Sequence, residues 1–262
     1  MKQKSLYLEC YSGISGDMSV AALLDLGADE AFLRNCLESL NLQGYEFVIG
    51  RKLCSGIDAC TFDVQIPEQP CYDEGHGMSM EHHEHHEHHH HHAHRNLQDI
   101  EEILSRLEST EVRDLAMRIF HIVADAEAQA HNKPLSEIHF HEVGAIDSIV
   151  DIVAASACFV SLDIDRVIVS PLYEGVGHLC CQHGMMPVPA PATLNIIEKH
   201  GMTLHITENQ GEMITPTGAA IAAALKTSVE LPETFRVLAT GLGAGKKTFR
   251  TANLLRAMLI ES

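Results

Sequence analysis

Residues 67–96 limit the fold more than any other stretch of this chain. They hold eleven of its nineteen histidines (His76, His82, His83, His85, His86, His88, His89, His90, His91, His92 and His94), interleaved with Glu81, Glu84 and Glu87. So polar a segment has too little apolar surface to offset the entropy of ordering it, and it is expected to be a flexible, disordered insertion. Its internal position, and its interruption by Glu and Ala93, separate it from an appended affinity tag. The core must then come from residues 1–66 and 97–262, expected to form one α/β region that handles metal and catalysis. A mobile run of imidazoles binds nickel, copper or zinc, with supply more than geometry choosing the ion. It suits a metal reservoir, because a reaction centre needs fixed geometry.

The remaining chain is apolar enough to fold around a core. Hydrophobic residues make up 45% of the 262, but aromatics are only 5% and tryptophan is absent, so Ala, Val, Ile and Leu must fill that core. Eighteen Lys and Arg against thirty-six Asp and Glu give a net charge of -18. That balance argues against nucleic acid and acidic membranes as partners and favours cations. The eight cysteines form no C-x-x-C pair and no compact disulfide framework. With no signal-like apolar region at the start and no membrane-length apolar run, a cytoplasmic location is expected.

Local patterns point to a mixed sheet flanked by helices, with α/β the expected class and α+β the alternative. Ser5–Cys10 reads as a buried strand, followed by a glycine-bearing loop and a helix from about Met18 to Leu26. In that loop Ser12, Gly13, Ser15 and Gly16 could aim backbone N–H groups at a phosphate, with Asp17 beside them as a cation ligand or proton acceptor. A plain helix cap by Ser15 or Asp17 is the competing reading. Helices are further expected at 29–40, from Asn96 to about Leu107, from a Thr110 cap to about His131, and at about 192–200. Tyr45–Cys54 and Ile57–Ile66 read as a hairpin about Ser55-Gly56.

His139-Phe-His-Glu-Val-Gly-Ala-Ile-Asp-Ser-Ile-Val-Asp151 concentrates the chemistry. If residues 139–142 are extended, His139 and His141 share a face. A helix from about Ile146 to Val160 then sets Asp147 and Asp151 one turn apart on one side. Carboxylates on so apolar a helix are costly unless they are paired, hydrogen-bonded or bound to a cation. Spacing alone leaves two readings open: a divalent-metal site built on His139, His141, Glu142 and Asp151, or core-edge histidines with paired acids. Pro187, Pro189 and Pro191, beside His178 and His183, suggest a stiff pocket wall or a rigid crossover. Thr215-Pro-Thr-Gly218 starts a helix with Thr215 as cap, and Thr215 and Thr217 are a second candidate phosphate site. Gly241–Lys247 does not complete a P-loop, because lysine stands where Ser or Thr is required. Residues 235–241 and 253–260 read as a closing pair of strands.

Five segments in order, Tyr11–Met18, His139–Asp151, His183–Thr193, Thr215–Ala220, and Gly241–Gly245 with Asn253–Arg256, resemble the LarC family, the nickel-insertion proteins of nickel-pincer cofactor biosynthesis. The internal histidine-rich loop is typical of that family too. The resemblance implies a cyclometallase that places nickel(II) into a bis-thiocarboxylated pyridinium mononucleotide, consuming CTP, to make the cofactor of lactate racemase. It also implies a further C-terminal region that handles CTP with Mg or Mn, of which this sequence holds little or nothing. The partners implied are the thiolated mononucleotide, that CTP-binding polypeptide and a recipient racemase, and a homo-oligomer is expected. Within this reading Asp17 or Asp147 accepts the ring proton. A non-catalytic nickel chaperone or store is the alternative. A zinc-type hydrolase ranks last for want of an H-E-x-x-H signature.

Overall fold

The computed structural model describes residues 4–66, 95–140, 145–181 and 184–262, without the side chain of His139. Strand β1 (Lys4–Glu9) leads to helices α1 (Gly16–Leu26) and α2 (Glu30–Ser39) and to the hairpin β2 (Glu46–Cys54) and β3 (Ile57–Gln65). Beyond the insertion come β4 (Arg95–Asn96), α3 (Leu97–Leu104), α4 (Thr110–His131), β5 (His139–Phe140) and α5 (Ile146–Ser161). Then follow β6 (Val167–Val169), β7 (Leu172–Val176), β8 (His178–Cys181), β9 (Gly184–Pro187) and α6 (Pro191–Lys199). The chain closes with β10 (Leu204–Gln210), α7 (Pro216–Leu225), β11 (Arg236–Ala244) and β12 (Leu254–Glu261).

The fold is α/β, built on a six-stranded mixed sheet in the order β2-β3-β11-β12-β1-β6. Strand β1 runs parallel to β6 and antiparallel to β12, while β11 is parallel to β3. The sheet therefore joins strands from both sides of the histidine-rich insertion. Helix α1 lies directly on β3, β11 and β12. Gly241 and Gly243 allow this approach: a Cβ at Gly243 would stand 2.1 Å from the Met18 carbonyl oxygen, and one at Gly241 2.2 Å from that of Ala22. The glycine-rich stretch that fails as a P-loop thus has a packing cause.

Helix α5 is buried almost all round, through Ile149, Val150, Ile152, Val153 and Cys158 among others, because α1, α2 and α4 surround it. Helix α4 buries the stripe Val112, Leu115, Ile119, Val123 and Ala126, and packs also against α6 and α7. Each large aliphatic side chain so buried contributes about 1.5–3 kcal/mol.

Several local expectations need correction. Ser109, not Thr110, caps α4, accepting a hydrogen bond from the Val112 N–H at 3.3 Å. The helix capped by Asn96 stops at Leu104, and α6 begins at Pro191, where proline's fixed φ suits the first turn. Strands β8 and β9 pair antiparallel, Leu179 opposite Met186, beside the proline segment, and β7 pairs parallel with β10 in a further small sheet. Arg95 and Asn96 pair with Phe140 and His139, so the end of the insertion meets the start of the histidine motif. Among the described residues no helix is long and apolar enough to cross a membrane.

Candidate functional site

Two motif loops far apart in sequence are stitched together just beyond the end of β1. The Ile14 N–H donates to the Met213 carbonyl at 3.0 Å, and the Thr215 N–H donates to the Ile14 carbonyl at 3.1 Å. This sets the N-terminus of α1 beside that of α7. Gly218 on α7 lies so close that a Cβ there would stand 2.7 Å from the Cα of Ser15. Thr215 caps α7 as expected, its hydroxyl accepting from the Gly218 N–H at 3.1 Å and lying 2.9 Å from the Thr217 hydroxyl. Ser12 is half-buried, and Gly13 is buried with φ +88°.

Beneath these loops sits Glu174, fully buried, which the sequence reading did not single out. Its carboxylate accepts from the backbone N–H groups of Met213 at 2.5 Å, Gly175 at 2.8 Å and Ile214 at 3.3 Å. Burial pushes its pKa up to about 7, opposed by those N–H donors. A lone Glu between Tyr173 and Gly175 carries no sequence signal of burial, which is why it was missed.

The acids do come together. Ser15 occupies the cap position of α1 in an extended conformation, but its hydroxyl donates to the Asp17 carboxylate in place of capping the helix. Asp17 also accepts from the Met18 N–H at 2.9 Å. Asp151, on α5, lies against Gly16, where a Cβ would come within 2.6 Å of its Oδ2. Its carboxyl is held well above the usual aspartate range, first by burial and then by the charges of Asp17 and Asp147. The backbone N–H of Asp17 and the charge of Lys246 pull the other way. Lys246 pairs with Asp63 at 2.6 Å. Burial works against its charge, but Asp63, Asp17 and Asp151 outweigh it and raise its pKa. Lys246 is a second residue the sequence reading passed over, noting it only as part of a failed P-loop. Asp147 is exposed in the first turn of α5, on the side of the helix that Asp151 shares.

The other candidates divide. His141, Glu142, His183 and the histidines of 76–94 lie outside the described residues, as does the side chain of His139. Among the described residues no three His, Cys, Asp or Glu side chains converge so as to hold a metal ion. His178 is exposed on β8. Pro191 does line a pocket of about 250 Å³, whose other walls come from α4, the β8–β9 hairpin, Glu212 and Pro216. A more open hollow of about 480 Å³ lies between the end of α2 and the start of β2 and shares no residue with the motif loops.

The molecule is thus an α/β protein with a histidine-rich insertion, in which four aspartates (Asp17, Asp63, Asp147 and Asp151) and Lys246 gather beside two helix N-termini. Comparison with known proteins sets its family. The model of the nickel insertion protein family matches residues 6–262, and the chain belongs to that family. It is 53% identical over 260 residues to the pyridinium-3,5-bisthiocarboxylic acid mononucleotide nickel insertion protein of Alkaliphilus metalliredigens, covering 98% of this chain and 60% of the relative. Proteins of the same name from Clostridium kluyveri and Geobacillus kaustophilus are each 42% identical, over 98% of this chain and 62% and 60% of their own lengths. The chain therefore spans about 60% of the length of these relatives. No solved structure matches it.

Proposed function

We propose that this chain is the nickel- and mononucleotide-handling part of a cyclometallase. It would insert nickel(II) into pyridinium-3,5-bisthiocarboxylic acid mononucleotide to form the nickel-pincer cofactor of lactate racemase. The observation that carries this reading is the 53% identity, across nearly the whole chain, to a relative named for that substrate. In the step itself a ring C–H bond breaks, its electron pair forms the carbon–nickel bond, and the proton passes to a carboxylate. His139, His141, Glu142 and Asp151 are the proposed nickel ligands, with Asp17 or Asp147 taking the proton. The phosphate would lie at the loop of Ser12, Gly13, Ser15 and Gly16 or at Thr215 and Thr217, since helix N-termini favour anions. Their direct adjacency supports a shared site.

CTP with Mg or Mn would act through a further, C-terminal region, in the cytoplasm. The test is to incubate the chain with nickel, the thiolated mononucleotide and CTP, with and without that region. Product is expected with it; no product in either case would sink the proposal.

A second reading, a nickel store or chaperone, is favoured by the eleven clustered histidines. Deleting residues 76–94 should spare insertion when nickel is abundant, whereas His141→Ala should abolish it. Loss of activity on the deletion alone, at saturating nickel, would favour storage.

A further inference from the structure

The pocket of about 250 Å³ between α4, the β8–β9 hairpin and the start of α7 is not used by any role assigned above. Strand alternation builds one wall: Leu179 and Cys181 on β8, and Met186 opposite Leu179 on β9, face inward, while Cys180 is exposed on the other side. Pro191 and Pro216 supply rigid apolar surfaces, and the alanines at 130, 190 and 192 leave the space open. The polar groups are few. Glu127 and His131, one turn apart on α4, lie 3.6 Å from each other, and Glu212 is held by Lys247 at 3.1 Å.

We propose that this pocket seats the heteroaromatic ring of the mononucleotide, an inference that rests on the reading of the substrate given above. Proline, methionine and leucine walls suit the faces of a flat ring, and the Glu127 and Glu212 carboxylates suit the positive charge of a pyridinium nitrogen. The sulfurs of Cys181 and Met186 form a soft, polarisable surface for thiocarboxylate sulfur. Ligand pockets for whole small molecules usually run from about 300 to 1,000 Å³. This one has room for a substituted ring but not for the ribose phosphate, which must leave by the mouth. Pro216, a lining residue, is also the first residue of α7, so a phosphate leaving the pocket on that side meets Thr215 and Thr217.

Two measurements test this with nicotinic acid mononucleotide as the ring-bearing probe and ribose 5-phosphate as the ringless one. Filling the pocket by Ala190→Phe is expected to weaken the first by about tenfold or more, a loss of about 1.4 kcal/mol, and to leave the second unchanged. In the unaltered chain the ring-bearing probe should protect Cys181 from alkylation and leave the neighbouring Cys180 labelled, a readout that needs no variant to fold. Equal binding of the ring-bearing probe by the unaltered chain and by folded Ala190→Phe, or protection of Cys180 alone, would overturn the pocket assignment while leaving the proposed function standing. Failure of the unaltered chain to bind either probe would overturn both.

Discussion

Glu174 anchors the segment that leads into α7, to which the loop before α1 is in turn bonded. Its carboxylate collects the N–H groups of Met213, Ile214 and Gly175, and its folded pKa of about 7 exceeds its ordinary value of 4.5. The folded state therefore holds on to this proton more tightly than the unfolded chain does. Its contribution to stability is complete below about pH 4.5 and is lost as pH rises through about 7. Replacement by Gln keeps an acceptor and removes the titration. Denaturant unfolding of both proteins between pH 4.5 and 8 should show the native protein losing up to about 3 kcal/mol relative to Glu174→Gln as pH rises. A constant difference would mean that the carboxyl is not held in its neutral form. At this scale the sequence was uneven. The pairing of Asp147 with Asp151 on one side of α5 followed from helical spacing, and Asp17 from its place after Gly16. Glu174 could not be found that way, because burial by distant segments leaves no local pattern, and Lys246 meets Asp63 only through the tertiary fold.

The elements were legible where their signals are local. Helix α7 shows its Thr-Pro start, α5 its apolar run, and the β2–β3 hairpin its Ser55-Gly56 turn, and each lies where those residues require. Strands β7 and β10 were not legible. In β7 the buried Glu174 and Gly175 break any alternation, and in β10 the exposed His205, Ile206, Glu208 and Gln210 offer no apolar face. Their pairing is set by tertiary placement. The contact of α1 with β11 is the element-scale claim most open to test. A methyl group at Gly243 meets the Met18 carbonyl at 2.1 Å, which neither backbone can yield without moving α1. Gly243→Ala should cost about 1–3 kcal/mol, in the range of core overpacking, measured as a lower denaturation midpoint. Unchanged stability would contradict a close contact between α1 and β11.

At the scale of the whole molecule, the histidine-rich insertion divides the sequence without dividing the fold, since β2 and β3 from before it pair into the same sheet as β11 and β12 after it. On the proposed function, metal would be gathered on residues 76–94 while the mononucleotide would be held at the joined loops of α1 and α7. A net charge of -18 favours cations over an anionic mononucleotide, so on the proposed function the substrate would be drawn in by local donors at the helix starts. The central claim is that nickel and the mononucleotide meet on this chain and react there. The most direct measurement is the mass of the mononucleotide after incubation with the chain, nickel, CTP and the C-terminal region of a longer relative. The expected result is a species that has gained one nickel and lost its ring proton, absent when His141 is replaced by Ala. Nickel bound to the protein, with the mononucleotide recovered unchanged, would contradict the account.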